Sequence, residues 1–168
     1  MDRSATAPAA AGALVTESAP ETRRLGVALG SLAQPGTLIA LVGPLGAGKT
    51  QLAKGVAEGL GVTGVVNSPT FILMNEHSGR LRLFHVDAYR LDDPEDALAA
   101  GLLDERGADG VTVVEWADRL DGWLPLDRLD IELEMEPGGA PDRRRIAWQA
   151  HGDAHARLAE ASLGQGSA

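Results

Sequence analysis

The chain carries the segment Gly43-Pro44-Leu45-Gly46-Ala47-Gly48-Lys49-Thr50. This segment matches G-x-x-x-x-G-K-[ST], a loop whose backbone N–H groups surround nucleotide phosphates. The chain has only two lysines, and one of them stands at the lysine position of the motif. A compact ammonium on a flexible stem reaches the β- and γ-phosphates as a point charge. The motif therefore predicts that these eight residues bind a nucleotide, with Lys49 also serving catalysis and Thr50 offering its hydroxyl to Mg²⁺.

The residues on either side of this loop give it the setting that phosphate binding requires. Residues 37–42 form an apolar run typical of a buried parallel strand, and residues 50–60 place leucine and valine at helical spacing before Gly61. A strand, a glycine-rich loop and a helix N-terminus in this order direct N–H groups and the helix dipole at a phosphate. The alternative is a glycine-rich turn that binds no ligand.

Length, composition and charge restrict the class of protein. At 168 residues and 17.5 kDa, the chain is long enough for one domain with its own core. It has no cysteine, which excludes disulfides, thiol catalysis and Cys-based zinc sites. No apolar run reaches about 18 residues, so we expect no membrane partner and a cytoplasmic location. A formal net charge of −9 argues against direct, unassisted binding to nucleic acid.

The domain boundaries follow from composition. Residues 1–15 are alanine-rich and lack the order of a secretory signal, so we expect a flexible N-terminal tail. Residues 16–163 are predicted to form a single P-loop ATPase domain, followed by a flexible C-terminal tail at residues 164–168. The pattern of strands alternating with helices predicts an α/β, three-layer P-loop NTPase-like fold with a mixed, partly parallel sheet.

Local signals predict the individual elements of this domain. Ser18, Pro20 and Glu21 are typical of a helix start, and the helix should run to about Ala33 and bury Leu32 among other residues. Further elements are a hairpin of residues 71–76 and 81–86, a helix over 93–103, a strand at 111–114, an edge strand at 131–135 paired with 145–150, and a last helix over 153–163.

Two apolar strands are each followed by an acid. Residues 83–86 lead into Asp87, and residues 111–114 lead into Glu115. Ligands of open α/β sheets lie beyond the carboxyl ends of the strands, so both acids are candidates for the metal and for catalysis. Glu115 fits a metal-binding acid better, because its strand is more apolar and more β-branched. For either residue alone, the alternative is a solvated carboxylate at a strand end.

Two further positions are candidates with open alternatives. Thr70 ends the loop sequence Asn-Ser-Pro-Thr after the P-loop helix, where a threonine of a switch can bind Mg²⁺ near the γ-phosphate. A plain Ser-Pro turn explains the same sequence. The arginine run 143–145 is either a solvated turn or a contact to a nucleotide or partner. No Asn-Lys-x-Asp motif exists, so adenine is the expected base.

Taken in order, five segments resemble the TsaE family, bacterial ATPases of tRNA threonylcarbamoyladenosine synthesis. The resemblance covers about residues 18–150. The segments are the P-loop 43–50, Ser-Pro-Thr-Phe at 68–71, His-Val-Asp-Ala-Tyr-Arg-Leu at 85–91, Val-Glu-Trp at 114–116 and Leu-Pro at 124–125.

The resemblance implies a function and its partners. It implies an ATPase that binds ATP or ADP with Mg²⁺ and works with TsaB and TsaD proteins. In that family TsaD transfers the threonylcarbamoyl group to an adenosine beside the anticodon of tRNAs reading ANN codons. TsaE hydrolyses ATP in the assembly and resets it, so it meets tRNA indirectly. The oligomeric state of this chain is left open.

The resemblance also implies roles for particular residues. It makes Thr50 and Glu115 Mg²⁺ ligands, Asp87 a metal-side or water-orienting acid, and residues 68–70 a switch-like loop. It places Trp116 beside the site and a nucleotide-binding arginine of the late hairpin near Arg143. Pro44 departs from the aspartate that is common in the family.

Two other interpretations stay open at the level of the sequence. One is a non-catalytic module that senses ATP or ADP through a change of its binding face. The other is a small-molecule P-loop kinase, for which the sequence shows no helical lid insert. No obvious arginine finger or water-positioning glutamine stands in the sequence, which suggests that partners complete the ATPase site.

Overall fold

The computed structural model describes residues 7–64, 66, 74–89, 91, 109–120, 122–136 and 138–164. Within them lie seven strands, three α-helices and one 3₁₀ helix. In chain order these are β1 (Ala10–Thr16), α1 (Ala19–Leu32), β2 (Leu38–Val42), α2 (Lys49–Gly59), β3 (Met74–His77), β4 (Leu83–Asp87), β5 (Val111–Glu115), the 3₁₀ helix (Ala117–Leu120), β6 (Arg128–Met135), β7 (Arg144–His151) and α3 (Asp153–Ser162).

All seven strands join one mixed sheet in the order β1-β7-β6-β2-β5-β4-β3. The four strands β6, β2, β5 and β4 run parallel to one another, whereas β1, β7 and β3 pair antiparallel with their neighbours. The predicted α/β fold with a mixed, partly parallel sheet is confirmed. Parallel strands end at the same edge, so the carboxyl ends of β2, β4 and β5 meet there.

Strands β2 and β5 are buried along almost their whole length because both faces of the sheet are covered there. On one face, Ile39 and Leu41 of β2 join a core cluster with side chains of α1, α2 and α3. On the other face, Leu38 and Ala40 join a second cluster with residues of β4, β5 and the 3₁₀ helix. The strand that leads into residues 43–50 is therefore held from both sides.

Helix α1 begins where the sequence predicted. The Glu21 N–H donates to Ser18 Oγ at 3.2 Å, and the Glu17 N–H donates to Glu21 Oε2 at 2.9 Å. The first bond caps the helix from Ser18, and in the second the Glu21 carboxylate accepts from the residue before the cap, one position earlier than in a standard capping box. The predicted burial of Leu32 is wrong, since its side chain is 46% exposed. The buried residues of α1 are Thr22, Gly26, Leu29 and Gly30, and the two glycines lie where this face meets a second helix backbone.

Glycines bring α1 and α2 into backbone contact. A Cβ placed on Gly55 would lie 2.9 Å from the Cα of Gly26, and a Cβ on Gly59 would lie 2.9 Å from the Cα of Gly30. Real Cβ atoms do not approach other atoms so closely, so only glycine fits at this crossing. The contact fixes α2, and with it the end of the loop 43–50, against α1.

The prediction of a flexible N-terminal tail at residues 1–15 is wrong for residues 10–15. Residues 10–15 belong to β1, which pairs along its length with β7, and Leu14 is buried. Gly12 leaves room for the indole of Trp148, since a Cβ there would lie 2.8 Å from the ring. The low charge of this segment reflects a sheet strand, and the domain therefore extends at least to Ala10. Residues 1–6 and 165–168 of the predicted tails lie outside the described residues.

The prediction of an edge strand at residues 131–135 is also wrong. It belongs to β6, which lies inside the sheet between β7 and β2. Its alternating pattern arises because Glu132 and Glu134 lie on an exposed face, while Ile131 and Leu133 are buried. Alternating apolar and polar residues indicate that one face of a strand is covered and the other is exposed. They do not indicate whether the strand has hydrogen-bonded neighbours on both sides.

Other predicted elements have clear outcomes. The hairpin across residues 78–79 is confirmed by the antiparallel pairing of β3 with β4, and the last helix is confirmed as α3. The predicted strand at 111–114 is confirmed as β5. The predicted helix over 93–103 lies outside the described residues.

Candidate functional site

The loop 43–50 leaves the carboxyl end of β2 and enters α2, which begins at Lys49. Gly48, at the N-cap position of α2, has a φ of 103°, a left-handed conformation that favours glycine. A Cβ on Gly43 would collide with the carbonyl oxygen of Leu133. No side chain caps the start of α2. The first-turn N–H groups and the helix dipole thus face the loop, as in helix N-termini that bind anions.

The Lys49 side chain lies across this loop. Its Nζ donates to Gly43 O at 2.5 Å and to Pro44 O at 2.9 Å, and it lies 3.9 Å from the centroid of the Trp116 ring. Burial lowers the pKa of Lys49, and the negative charge of Glu115 is the largest effect that opposes this shift. The ammonium is therefore held between carbonyl oxygens of the loop and the face of an aromatic ring.

The carboxylate of Glu115 is the centre of a buried hydrogen-bonded chain. Its Oε1 accepts from Thr50 Oγ1 at 2.8 Å, and its Oε2 lies 2.5 Å from His85 Nε2. Glu115 is 2% exposed and His85 is fully buried. The carboxylate thus connects the first turn of α2 to strand β4.

Asp87 is the partner of Glu115 in the β4–β5 register, so the two acids stand side by side at the ends of adjacent strands. Asp87 is less buried, and its Oδ1 accepts from the Tyr89 N–H at 2.9 Å. Glu115 contacts the P-loop threonine, and Asp87 lies beside Glu115 at the end of the neighbouring strand. Their roles stay predictions.

A pair of aromatic side chains lies over this site. Trp116 follows Glu115 with a φ of 58°, an uncommon left-handed conformation for a residue other than glycine. Its ring centroid is 4.8 Å from that of Tyr89, with the planes tilted by 45°. This backbone turn directs the Trp116 ring to the Lys49 ammonium. The expectation of an aromatic site neighbour at Trp116 agrees with the geometry.

The two remaining predicted site residues have different outcomes. Thr70 lies outside the described residues. Arg143 faces two acids, with its Nε 3.3 Å from Glu136 Oε2 and 3.7 Å from Glu17 Oε1. A nucleotide contact by Arg143 stays a prediction.

Sequence reasoning missed two residues that contact this site. Arg144 donates to Gly46 O at 3.0 Å and to Ala47 O at 3.1 Å, so it touches the loop itself. Nothing in a run of three arginines distinguishes the middle one. His85 contacts Glu115, and the available signal was its position two residues before Asp87, on the same face of β4.

The oxygen donors at this edge of the sheet are of the kind that Mg²⁺ prefers. They are the Thr50 hydroxyl and the carboxylates of Glu115 and Asp87. The described part of the chain contains no group of three or more His, Asp or Glu side chains arranged to hold a metal ion. Such a donor set suits a cation that is completed by phosphate oxygens and water, since Mg²⁺ is rarely held by an all-protein cage.

A glycine-rich loop between a central parallel strand and a helix, with a buried lysine at the helix start and an acid ending the next strand, defines the P-loop class of α/β proteins. The family model of the threonylcarbamoyl adenosine biosynthesis protein TsaE matches residues 16–146. The chain therefore belongs to the TsaE family, and the resemblance inferred from its motifs is confirmed.

Individual relatives agree with this assignment. A Bacillus subtilis protein named "tRNA threonylcarbamoyladenosine biosynthesis protein TsaE" is 40% identical over 86% of this chain and 89% of its own length. The Mycobacterium leprae protein of the same name is 42% identical over 82% of this chain and 90% of its own. The crystal structure of Bacillus subtilis YdiB superposes with a TM-score of 0.73 at 33% identity, covering 90% of this chain and 93% of that one.

Across the described residues, none of the helices has both the length and the apolar character needed to span a lipid bilayer.

Proposed function

We propose that this protein binds ATP or ADP with Mg²⁺ at residues 43–50 and hydrolyses ATP in the synthesis of threonylcarbamoyladenosine in tRNA. The observation that carries the proposal is the buried chain Thr50–Glu115–His85 at the end of the phosphate loop. A hydroxyl at the start of a P-loop helix and an acid on the neighbouring strand are the metal-binding pair of P-loop NTPases. The family name gives the pathway.

The loop and its lysine have separate tasks in this proposal. The N–H groups at the start of α2 hold the phosphate oxygens, which carry negative charge. Lys49 reaches them as a point charge, leaving the carbonyl oxygens of Gly43 and Pro44 or sharing its three donors with them. Trp116 covers the ammonium and keeps water from it, which strengthens its attraction to phosphate.

The acids take the metal side of the site. Thr50 and Glu115 would hold Mg²⁺, whose chemistry when bound is to neutralise phosphate charge. Asp87, adjacent to Glu115 and more exposed, would act on the metal side or orient the attacking water. Thr70 would close over the γ-phosphate as part of a switch-like loop, and Arg143 would contact the nucleotide. Both roles rest on the family resemblance.

The proposal includes partners and a location. ATP hydrolysis would take place in an assembly with TsaB- and TsaD-type proteins in the cytoplasm and would reset that assembly. The protein would not itself transfer the threonylcarbamoyl group. The net charge of −9 supports an indirect encounter with tRNA, since a direct binder normally carries a basic surface.

Phosphate release from ATP tests the proposal. It is measured with Mg²⁺ for the protein alone and with the TsaB and TsaD proteins of the same source. The variants are Glu115→Gln and, as a matched control, Glu134→Gln on an exposed position of β6. We expect partner-stimulated hydrolysis that Glu115→Gln abolishes and Glu134→Gln retains.

The other outcomes separate the competing functions. Nucleotide binding without stimulated hydrolysis would contradict the ATPase and favour a sensing module. A phosphorylated small molecule among the products would favour a kinase. Equal rates of phosphate release for Glu115→Gln and wild type would show that Glu115 does not bind the metal.

A further inference from the structure

The guanidinium of Arg144 binds two carbonyl oxygens of the phosphate loop. Its Nη2 donates to Gly46 O at 3.0 Å and its Nε donates to Ala47 O at 3.1 Å. Its Nη1 donates to Pro141 O at 2.7 Å and to Arg143 O at 2.9 Å. One planar group therefore joins the loop to the turn that precedes β7.

The neighbouring arginines, Arg143 and Arg145, face residues that do not belong to the loop. Arg143 faces Glu17 and Glu136, and Arg145 is an exposed residue of β7 that lies opposite Glu134 in the β6 register. Among the hydrogen bonds of the described side chains, those of Arg144 connect this arginine run to the loop. Arg144 is thus distinguished by its contacts, although its sequence neighbours have the same chemistry.

The loop has supports on its other sides as well. Gly43 lies against the carbonyl of Leu133 on β6, and Gly48 lies near Leu133 Cδ2 and Thr22 Cγ2. These two contacts are steric, whereas inside the loop the Ala47 N–H donates to Pro44 O at 3.1 Å and holds the Gly46–Ala47 peptide. The hydrogen bonds from Arg144 are directional, and they constrain the two peptide planes whose carbonyls belong to Gly46 and Ala47.

Fixing those carbonyls also fixes the N–H groups that follow them. The C=O of Ala47 shares a rigid peptide plane with the N–H of Gly48. The C=O of Gly46 shares one with the N–H of Ala47, which donates to Pro44 O at 3.1 Å within the loop. Because the two groups of a trans peptide point in opposite directions, the Ala47 carbonyl that accepts from Arg144 directs the Gly48 N–H away from the guanidinium. P-loops bind phosphate through backbone N–H groups of this kind.

We propose that Arg144 is a positioning residue of the phosphate site, which orients the amide of Gly48 towards the nucleotide before it binds. This inference rests on the proposed nucleotide binding and deepens it. Its guanidinium is 3.0 Å or more from the loop carbonyls and acts through them, so its role differs from that of an arginine that touches a phosphate. Preorganised donors bind more tightly because less ordering is lost on binding.

The test uses Arg144→Met and Arg144→Lys in the full chain, with Arg145→Met as the matched control. Binding of ADP and of inorganic pyrophosphate without Mg²⁺ is measured by calorimetry. Hydrogen exchange of the peptides that cover residues 43–50 is measured in the nucleotide-free protein. Thermal unfolding and exchange in the central strands β2 and β5 show whether each variant retains its fold.

We expect Arg144→Met to weaken both ADP and pyrophosphate by about tenfold or more, which corresponds to about 1.4 kcal/mol. Arg144→Lys should also bind more weakly than wild type, because a single ammonium does not reproduce the planar fork. Exchange at residues 43–50 should rise in both variants while β2 and β5 stay protected. Arg145→Met should match wild type in all of these measurements.

Several results would overturn the inference. Full affinity in Arg144→Lys would show that charge alone matters. Loss of ADP affinity with unchanged pyrophosphate affinity would mean that Arg144 recognises the nucleoside. Unchanged loop exchange in Arg144→Met would show that the loop is ordered without it, whatever the affinity. Failure of the wild type to bind either probe would instead overturn the proposed nucleotide binding, and the inference with it.

Discussion

His85 and Glu115 meet through a 2.5 Å contact between Nε2 and Oε2, and their side chains are 1% and 3% exposed. An ionised carboxylate only accepts, so the histidine donates from Nε2. The other oxygen of Glu115 accepts from Thr50. The two hydrogen bonds fix the plane and rotation of the carboxylate at the point where the P-loop helix begins. Such supporting contacts orient metal-binding groups and tune their affinity.

Replacing His85 by leucine should weaken Mg²⁺ binding more than nucleotide binding. His85→Leu removes the donor to Oε2, so Glu115 can rotate away from Thr50. We expect the affinity of the ADP-bound protein for Mn²⁺, as a Mg²⁺ substitute, to fall by about 10- to 100-fold. Paramagnetic resonance of Mn²⁺ measures it directly, and calorimetry without metal should give a nearly unchanged ADP affinity.

The control for this prediction is His151→Leu. His151 lies on β7, 3.1 Å from Asp130, away from the contacts of Glu115. An equal loss of Mn²⁺ affinity in both variants would contradict a specific role for His85.

A buried histidine should make the fold sensitive to mild acid. Burial lowers the pKa of His155, whose Nε2 accepts from the Leu38 N–H at 3.1 Å. The unfolded chain then binds a proton near pH 6.5, while the folded protein does so only at lower pH. The free energy of unfolding should therefore fall as the pH drops below about 6.5. Urea unfolding at pH 7, 6 and 5 measures the slope.

The variant His155→Gln tests this assignment, since an amide oxygen can still accept from Leu38 and does not titrate in this range. Its stability should decline less steeply between pH 7 and pH 5. Burial also lowers the pKa of His77, so His77 should still contribute part of the pH dependence of stability in this variant. Parallel curves for variant and wild type would rule out His155 as the source.

The helix crossing should not tolerate a methyl group. Gly55→Ala places a Cβ 2.9 Å from the Cα of Gly26 and closer still to the carbonyl oxygen of Arg23. We expect a loss of about 1–3 kcal/mol of unfolding free energy, although alanine is the better helix former. Ser31→Ala, at an exposed position of α1, should change stability by less than about 0.5 kcal/mol. Chemical denaturation of both variants measures these changes. A Gly55→Ala variant that is more stable than the wild type would contradict the close contact.

Strand β1 should behave as part of the core. Gly12→Val directs a branched side chain at the buried ring of Trp148, and we expect a loss of about 1–3 kcal/mol. Ala13→Val, one residue later and exposed, points to the opposite face and should change stability by less than about 0.5 kcal/mol. Equal stabilities of the two variants would mean that residues 10–15 do not pack as described.

Much of the site could be predicted from the sequence because its chemistry is local. The loop 43–50, the acids Asp87 and Glu115 at strand ends and the neighbouring Trp116 each stand in short patterns with a physical meaning. The role of His85 could not be predicted from its motif, since the residue that it touches is 30 positions away. Arg144 lies 97 and 98 positions from the two carbonyls that it binds.

The P-loop, the α/β fold class and the acids that follow apolar strands could be predicted from the amino-acid sequence, because each depends on neighbours within a few residues. The folded chain was needed to establish that β1 joins the sheet, that β6 lies inside it, and which side chains hold Glu115 and the loop carbonyls. Strand order and long-range hydrogen bonds depend on how whole elements pack, and a local pattern of apolar and polar residues is compatible with several such arrangements.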